Sequence, residues 1–136
     1  AIRVENILKS IGLVENFSPI VYVVGHGATS VNNTHFAGYD CGACSGRPSS
    51  VNAKVLSFAA NHEKVRKILS EKGIFIPNET QFLPALHDTT RDEIVFYDET
   101  STLPAKRRHH CDHLSCRLYA ENKSTNLYHC VTTMGI

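Results

Sequence analysis

The stretch PIVYVVGHG, residues 19–27, decides the fold. Residues 20–24 form a continuous and largely β-branched run, which is typical of a strand buried on both faces of a parallel sheet. The run stops abruptly at Gly25, and His26 is then the polar residue at the carboxyl end of the strand. The sequence therefore predicts a central strand that presents an imidazole where it ends.

Helical patterns lie on both sides of this strand. Apolar residues recur at helical spacing over residues 2–12, and Gly12 stands where a helix would stop. Residues 27–48 are rich in Gly, Ser, Thr and Asn and predict a long irregular loop, which inside a domain is usually functional. The pattern turns helical again from Ser49 to Gly73, as two helices or as one helix broken near Asn61.

Two short apolar runs, residues 82–86 and 94–97, predict further strands. Pro84 cannot donate a hydrogen bond to a neighbouring strand, so it predicts an edge or irregular strand for the first run. The order of elements predicts an α/β fold with a partial parallel or mixed sheet and flanking helices.

Composition limits the class of protein. The chain has 136 residues, of which 42% are hydrophobic and 20% charged, as in an ordinary globular domain. A formal net charge of +1 gives no electrostatic basis for binding nucleic acid. No apolar run approaches the roughly 18 to 20 residues of a membrane span, and no secretory signal is recognisable. We therefore expect a cytoplasmic protein, whose five cysteines are reduced thiols or metal ligands.

His26 and Cys41 are the candidate metal ligands. Open parallel sheets place ligands beyond the carboxyl ends of their strands, which is where His26 is predicted to lie. Imidazole and thiolate are ligand types that zinc prefers, and the long loop could bring Cys41 back beside His26. Their spacing matches none of the short zinc-finger patterns. The alternative is a histidine that hydrogen bonds to a loop backbone and a small buried thiol.

The stretch GHGATSVNNTHFAGYDCGACSGRPSSVNAK, residues 25–54, resembles the signature of the DabA family of probable inorganic carbon transporter subunits. Residues 11–27, 51–80 and 87–98 also resemble that family. The combination of Gly-His-Gly, Asn-Asn and Asp-Cys-Gly-Ala-Cys in this order is specific.

The resemblance implies a site similar to that of β-type carbonic anhydrases, in which one His and two Cys hold zinc and an Asp-Arg pair controls the fourth position. His26 is then the histidine ligand and Cys41 the second cysteine ligand, whereas Cys44 is not assigned to the metal. The family's Cys-x-Asp-x-Arg motif does not occur in these residues. We therefore expect a fragment of a larger protein, inactive by itself, whose catalytic Asp-Arg pair lies upstream.

The resemblance also implies a function for the complete protein. Zinc lowers the pKa of a bound water towards about 7, so that CO2 is hydrated to bicarbonate at neutral pH. The family implies that this hydration is coupled to a membrane-embedded, ion-translocating partner subunit. The protein would then lie on the inner face of the cell membrane through that partner, with no span of its own.

Other residues have an open role. Asn32, Asn33 and His35 either orient the ligands or bind substrate oxygen atoms, or else only shape turns of the loop. His87, Asp88 and Asp92 either face the same crevice or form a solvated turn.

Two alternative functions use cysteines differently. Cys41 and Cys44 form a Cys-x-x-Cys, which in an α/β protein can be a redox pair.

After Pro104 the character of the sequence changes, so we predict a zinc-domain fragment over residues 1–103 and a divergent Cys/His-rich tail over residues 104–136. That tail holds a possible structural zinc cluster consisting of Cys111, His113, Cys116, His129 and Cys130.

Overall fold

The structure, a computed structural model, describes residues 1–29, 40, 44, 46–97 and 99, together with the backbone of residues 128–133. Three helices and four strands lie in this part of the chain: α1 (Ile2–Ser10), β1 (Ile20–Gly27), α2 (Ser50–Asn61), α3 (Glu63–Glu71), β2 (Gln81–Asp88), β3 (Glu93–Phe96) and β4 (Tyr128–Thr133).

The strands form one sheet in the order β3-β2-β1-β4. β1 is parallel to both of its neighbours, and β3 runs antiparallel to β2. The residues of the predicted central run, from Ile20 to Val24, are each at most 3% exposed. The α/β class with a mixed sheet and flanking helices is therefore confirmed, and β1 is its buried central strand.

Pro84 does not make β2 an edge strand, so the edge alternative of that prediction is wrong. β2 lies between β1 and β3, and Val23 is the partner of Pro84 in the parallel pairing. The carbonyl of Pro84 accepts from Tyr97 N at 2.9 Å, on the β3 side. A residue's N–H and C=O point to the same side of a strand, so the missing N–H also faces β3. The β2-β3 ladder ends at Ala85, and the proline costs no bond to β1.

The two faces of the sheet have separate cores. Val21 and Val23 pack with residues of α1, α2 and α3 in a cluster that we call the helix-side core. Ile20, Tyr22 and Val24 pack with Leu83, Ala85, Ile94 and Phe96 in a second cluster, the far-side core. Successive strand residues point to opposite faces, which explains the alternation.

The helices begin and end close to the predicted positions, with two distinct helices after Ser49. His62 breaks them by adopting an extended conformation, and its side chain accepts from Lys64 N at 3.2 Å as the cap of α3. Asn61 ties this break to β2, because its amide donates to Phe82 O at 2.7 Å and accepts from Phe82 N at 2.9 Å.

α2 meets the core through three buried small residues, with the partly buried Leu56 and Ala59 beside them. Ala53, Ser57 and Ala60 are buried, at 0%, 3% and 1% exposure. Val51, Val55 and Phe58, whose spacing predicts the helix, are exposed. The pattern therefore locates the helix but does not identify the face that packs on the sheet.

In the part of the chain that the structure describes, no helix has the length and apolarity needed to cross a membrane. The division at residue 104 stays a prediction. Of the predicted tail, the described portion is β4, which pairs with β1 from Ile20↔Tyr128 to Gly25↔Thr133.

Candidate functional site

The candidate site is the carboxyl end of β1 and β2. His26 is paired with His87, and Gly27 with Asp88, in the parallel register of these strands. His26 lies within β1 rather than after it, and it is the half-buried residue of a strand that is otherwise buried. By strand alternation it belongs to the face of Tyr22 and Val24, opposite the helices. Residues paired in register share a face, so His87 lies on that face as well.

Gly25 lets the start of α2 approach β1 next to His26. Ser49, the residue before α2, donates its backbone N–H to His26 O at 2.8 Å and is itself 2% exposed. A Cβ at Gly25 would lie 2.7 Å from Ser49 O, closer than real side chains permit. The glycine is therefore required by this close approach, which fixes the backbone of His26 against the N-terminus of a helix.

Two carboxylates hold the chain where it leaves β1. Asp40 Oδ1 accepts from Ala28 N at 2.7 Å, and Asp88 Oδ1 accepts from Thr29 N at 3.1 Å. Both aspartates are 7% exposed. Consecutive amides are thus bound by acceptors 12 and 59 residues away in sequence. We call this pair of aspartates the carboxylate clamp.

Asp88 is held in its ionised form. Burial opposes ionisation, but hydrogen bonds from Thr29 and Thr90 outweigh it and hold the pKa of the Asp88 carboxyl well below its usual range. Thr90 contributes its hydroxyl at 2.7 Å and its backbone N–H at 3.1 Å. Asp88 is therefore a buried structural acceptor, not part of a solvated turn.

His87 has its own carboxylate partner. Its Nε2 lies 2.9 Å from Asp92 Oδ1, and Asp92 adopts a positive φ of 53° at the end of the turn between β2 and β3. The side chains are 30% and 72% exposed. Asp92 is therefore solvated, as the turn alternative predicts. His87 instead lies beside His26 in the register.

Several predicted site residues lie outside the described part of the chain. They are Cys41, Asn32, Asn33 and His35 in the loop, and Cys111, His113 and Cys116 in the tail. The backbone of His129 and Cys130 lies in β4, in register with Val21 and Tyr22. Cys130 is therefore about 13 Å from the level of His26, counted as four residues of strand. The tail cluster stays a prediction.

Cys44 is a free thiol whose Sγ accepts from Asn52 Nδ2 at 3.2 Å, beside the first turn of α2. Among the described residues, no group of three or more His, Cys, Asp or Glu side chains is placed to hold a metal ion. The described residues therefore place the imidazole of His26 at the end of β1 and that of its register partner His87 at the end of β2, and imidazole is a donor that zinc prefers.

Asp40 is the site residue that the sequence reasoning missed. A loop aspartate commonly accepts hydrogen bonds from nearby backbone amides, and this preference is the sequence feature that could have identified Asp40. That signal does not specify which amide is bound, because Ala28 is brought to Asp40 by the fold.

Comparisons with known proteins agree on one family. The family model described as "Probable inorganic carbon transporter subunit DabA" matches residues 1–133. A curated protein of that name from Azotobacter vinelandii is 66% identical over 108 residues, which cover 79% of this chain and 13% of the relative. One from Nitrosospira multiformis is 61% identical over 100 residues, covering 71% of this chain and 11% of the relative.

A third relative extends the match. "Probable inorganic carbon transporter subunit DabA 1" from Sorangium cellulosum is 44% identical over 134 residues, 88% of this chain and 13% of the relative. The chain thus spans about an eighth of the length of the curated relatives that it matches. No solved structure matches it, so the similarity to β-type carbonic anhydrases stays a prediction.

Proposed function

Because this chain belongs to the DabA family of probable inorganic carbon transporter subunits, we propose that it supplies part of a zinc site that hydrates CO2 to bicarbonate for inorganic carbon uptake. His26 and Cys41 are the ligands that this chain contributes. Residues elsewhere in the complete polypeptide, including the Asp-Arg pair, finish the site.

The observation that carries the proposal is the hydrogen bond from Ala28 N to Asp40 Oδ1, at 2.7 Å. It closes the loop that begins after His26 back onto the end of β1. Cys41 follows Asp40 directly in the chain, and consecutive Cα atoms are about 3.8 Å apart. The contact therefore supports a thiolate from the loop acting together with the imidazole at the strand end.

The donor chemistry fits zinc. Imidazole nitrogen and thiolate sulfur are ligands of both structural and catalytic zinc sites, and a catalytic site keeps one position open. When bound, zinc supplies a Lewis acid that activates water towards CO2. This chain's own contribution is to hold His26 in place, through Ser49 N at its carbonyl and through the clamp on the two residues after Gly27.

His87 fits a supporting role in the same site. It is the register partner of His26, and Asp92 orients its ring through Nε2. Carboxylates commonly fix histidine rings around metal sites in this way. Asn32, Asn33 and His35 are proposed to complete the surroundings of the ligands or to bind substrate oxygen atoms.

Hydration alone does not accumulate inorganic carbon, because the reaction runs to equilibrium. We therefore propose that the complete protein acts with a membrane-embedded, ion-translocating subunit, and that it lies on the inner face of the membrane through that subunit. The family description as a transporter subunit supports a partner.

Zinc content tests the ligand assignment. The full-length relative that is 66% identical is purified with the residues aligned to His26 and Cys41 changed to Ala and Ser, singly. Each change is expected to reduce bound zinc from about one per chain to less than a tenth, because a lost ligand weakens a four-coordinate site severely. Hydration of CO2 should fall with the zinc.

The matched control is Cys44→Ser, which removes a thiol of the same loop that is not assigned to the metal. It should retain zinc and activity. Loss of zinc in this control together with retention in the Cys41 variant would reject the assignment. Thiol-disulfide exchange that depends on both cysteines, in a protein free of zinc, would favour the redox alternative instead.

A further inference from the structure

We propose that the outer face of α2 is a buried contact in the complete protein, covered by an apolar surface from another part of the same polypeptide. We call this face the outer stripe and define it as Val51, Val55 and Phe58. The inference does not depend on zinc or on the CO2 reaction.

The side chains of the outer stripe are large, apolar and exposed. They are 66%, 63% and 73% exposed, respectively. Helical residues advance by about 100°, so the three side chains lie within about 60° of one another. They therefore form one continuous strip along about two turns and are not scattered surface residues.

The outer stripe is opposite the face that α2 already buries. Ala53, Ser57 and Ala60 pack towards the sheet, and their mean direction is about 160° from that of the stripe. Helices of a surface layer keep their large apolar residues on the core side. Here three of the four large apolar side chains of α2 face away from the core, and Leu56 is the one that packs against it. A helix that is apolar on both sides is characteristic of a buried helix between two layers.

The size of the outer stripe identifies its occupant. Its side chains expose on the order of 300 Å². A stable interface between separate molecules needs roughly 800 Å² from each partner, so the stripe is too small to hold a second copy or another subunit by itself. A contact within one polypeptide needs less area, because the two surfaces share an effective concentration of about millimolar or more.

The relatives are much longer than the matched region, so each has further polypeptide that could cover the outer stripe. The matched region is 13% of the Azotobacter relative and 11% of the Nitrosospira relative. Large proteins are built from layers, each of which covers the apolar face of the next. A neighbouring helix or sheet face of the same chain is therefore the occupant that the geometry favours.

Maleimide labelling tests this inference. Phe58→Cys is made in the 136-residue chain, and the aligned position is changed to Cys in the full-length 66%-identical relative. Labelling is followed on the peptide that carries the new thiol, so native cysteines do not interfere. In the 136-residue chain we expect rapid labelling, and in the full-length protein without other subunits a rate at least tenfold slower.

Two control positions calibrate the rates. Lys67→Cys on the exposed side of α3 gives the rate of an open site, and Ala53→Cys, at 0% exposure, gives the rate of a buried one. Hydroxyl-radical oxidation of the native Phe58 in the same samples repeats the comparison without a substitution. Protection of Phe58 from oxidation in the full-length protein supports the inference even where the Cys variant folds poorly.

Three results would overturn it. One is equally rapid labelling in the full-length protein and in the 136-residue chain. Another is protection that arises only after a membrane subunit is added, which would make the stripe an interface between subunits. The third is slow labelling of the 136-residue chain together with a dimer in light scattering, which would identify a second copy as the occupant.

Discussion

The carboxylate of Asp40 accepts a hydrogen bond of 2.7 Å from the backbone N–H of Ala28, and so joins an inner part of the long loop to the start of the loop, at the carboxyl end of β1. Because the contact is buried, its loss leaves a donor without water or protein to bind. If this hydrogen bond holds the loop in place, substitution of Asp40 should lower the stability of the fold. If the contact is incidental, substitution should have little effect.

Asp40→Ala is expected to lower the free energy of unfolding by about 1–3 kcal/mol, the usual effect of leaving a buried amide unsatisfied. Asp40→Asn retains an oxygen acceptor and should lose clearly less. Urea denaturation of the 136-residue chain measures both. Equal losses for the two variants would show that the hydrogen bond to Ala28 N is not what Asp40 contributes.

Gly25→Ala is expected to destabilise the fold by about 1–3 kcal/mol, because the new methyl group would overlap Ser49 O and separate α2 from β1. Gly27→Ala is the matched control on the other side of His26. Its Cβ would meet the flexible end of Leu86 at 3.2 Å, so a smaller loss follows. Thermal melts of both variants make the comparison, and a greater loss at Gly27 would contradict the packing described here.

The low pKa of Asp88 predicts acid sensitivity. Its folded-state pKa lies below the unfolded value of about 4, so ionised Asp88 stabilises the fold above about pH 4. That stabilisation is lost as the pH falls through the folded-state pKa. Asp88→Asn should therefore melt several degrees below wild type at pH 7, and the difference should narrow as the pH is lowered below 4.

Glu79→Gln is the control for this experiment, since it removes a carboxylate that is exposed. Its melting temperature should follow that of wild type across the whole range. The pKa of Glu5 is also lowered, by Lys72 and Lys9, so wild type itself should lose stability in acid. If the difference in melting temperature between wild type and Asp88→Asn widened in acid, ionised Asp88 would not be the stabilising form.

Arg66 predicts a second stability difference. Its guanidinium donates to Ala60 O, Pro77 O and Thr80 O, and it thereby ties α3 to the approach to β2. Arg66→Ala should cost about 2–3 kcal/mol, because several charge-assisted bonds are lost together. Arg91→Ala removes an exposed pair with Glu93 and should cost less than about 1 kcal/mol. Chemical denaturation of the two variants tests the ranking.

The sequence predicts the elements around β1 well, because their signals are local. The β-branched run from Ile20 to Val24 specifies a doubly buried strand, and the helical spacing after Ser49 specifies α2 and α3. The family also follows from local motifs, in particular the residues from Gly25 to Cys44. These inferences need no knowledge of which elements are neighbours in space.

The tertiary structure decided where those elements meet. Pro84 sits in an inner strand because its missing N–H falls beyond the end of the β2-β3 ladder, which depends on register. α2 begins close to β1 because Gly25 has no side chain, since a Cβ there would lie 2.7 Å from Ser49 O.

The same distinction applies to the site. The sequence by itself determined that an imidazole lies at the carboxyl end of the central strand and that a cysteine follows in the loop. Only the fold decided that Asp40 and Asp88 would bind consecutive amides after β1. Asp40 is 12 residues from Ala28, and Asp88 is 59 residues from Thr29. Local propensity reports the conformation of each segment, whereas the Asp88 contact depends on the parallel pairing of β1 with β2 and the Asp40 contact on the path of the loop, which no single segment encodes.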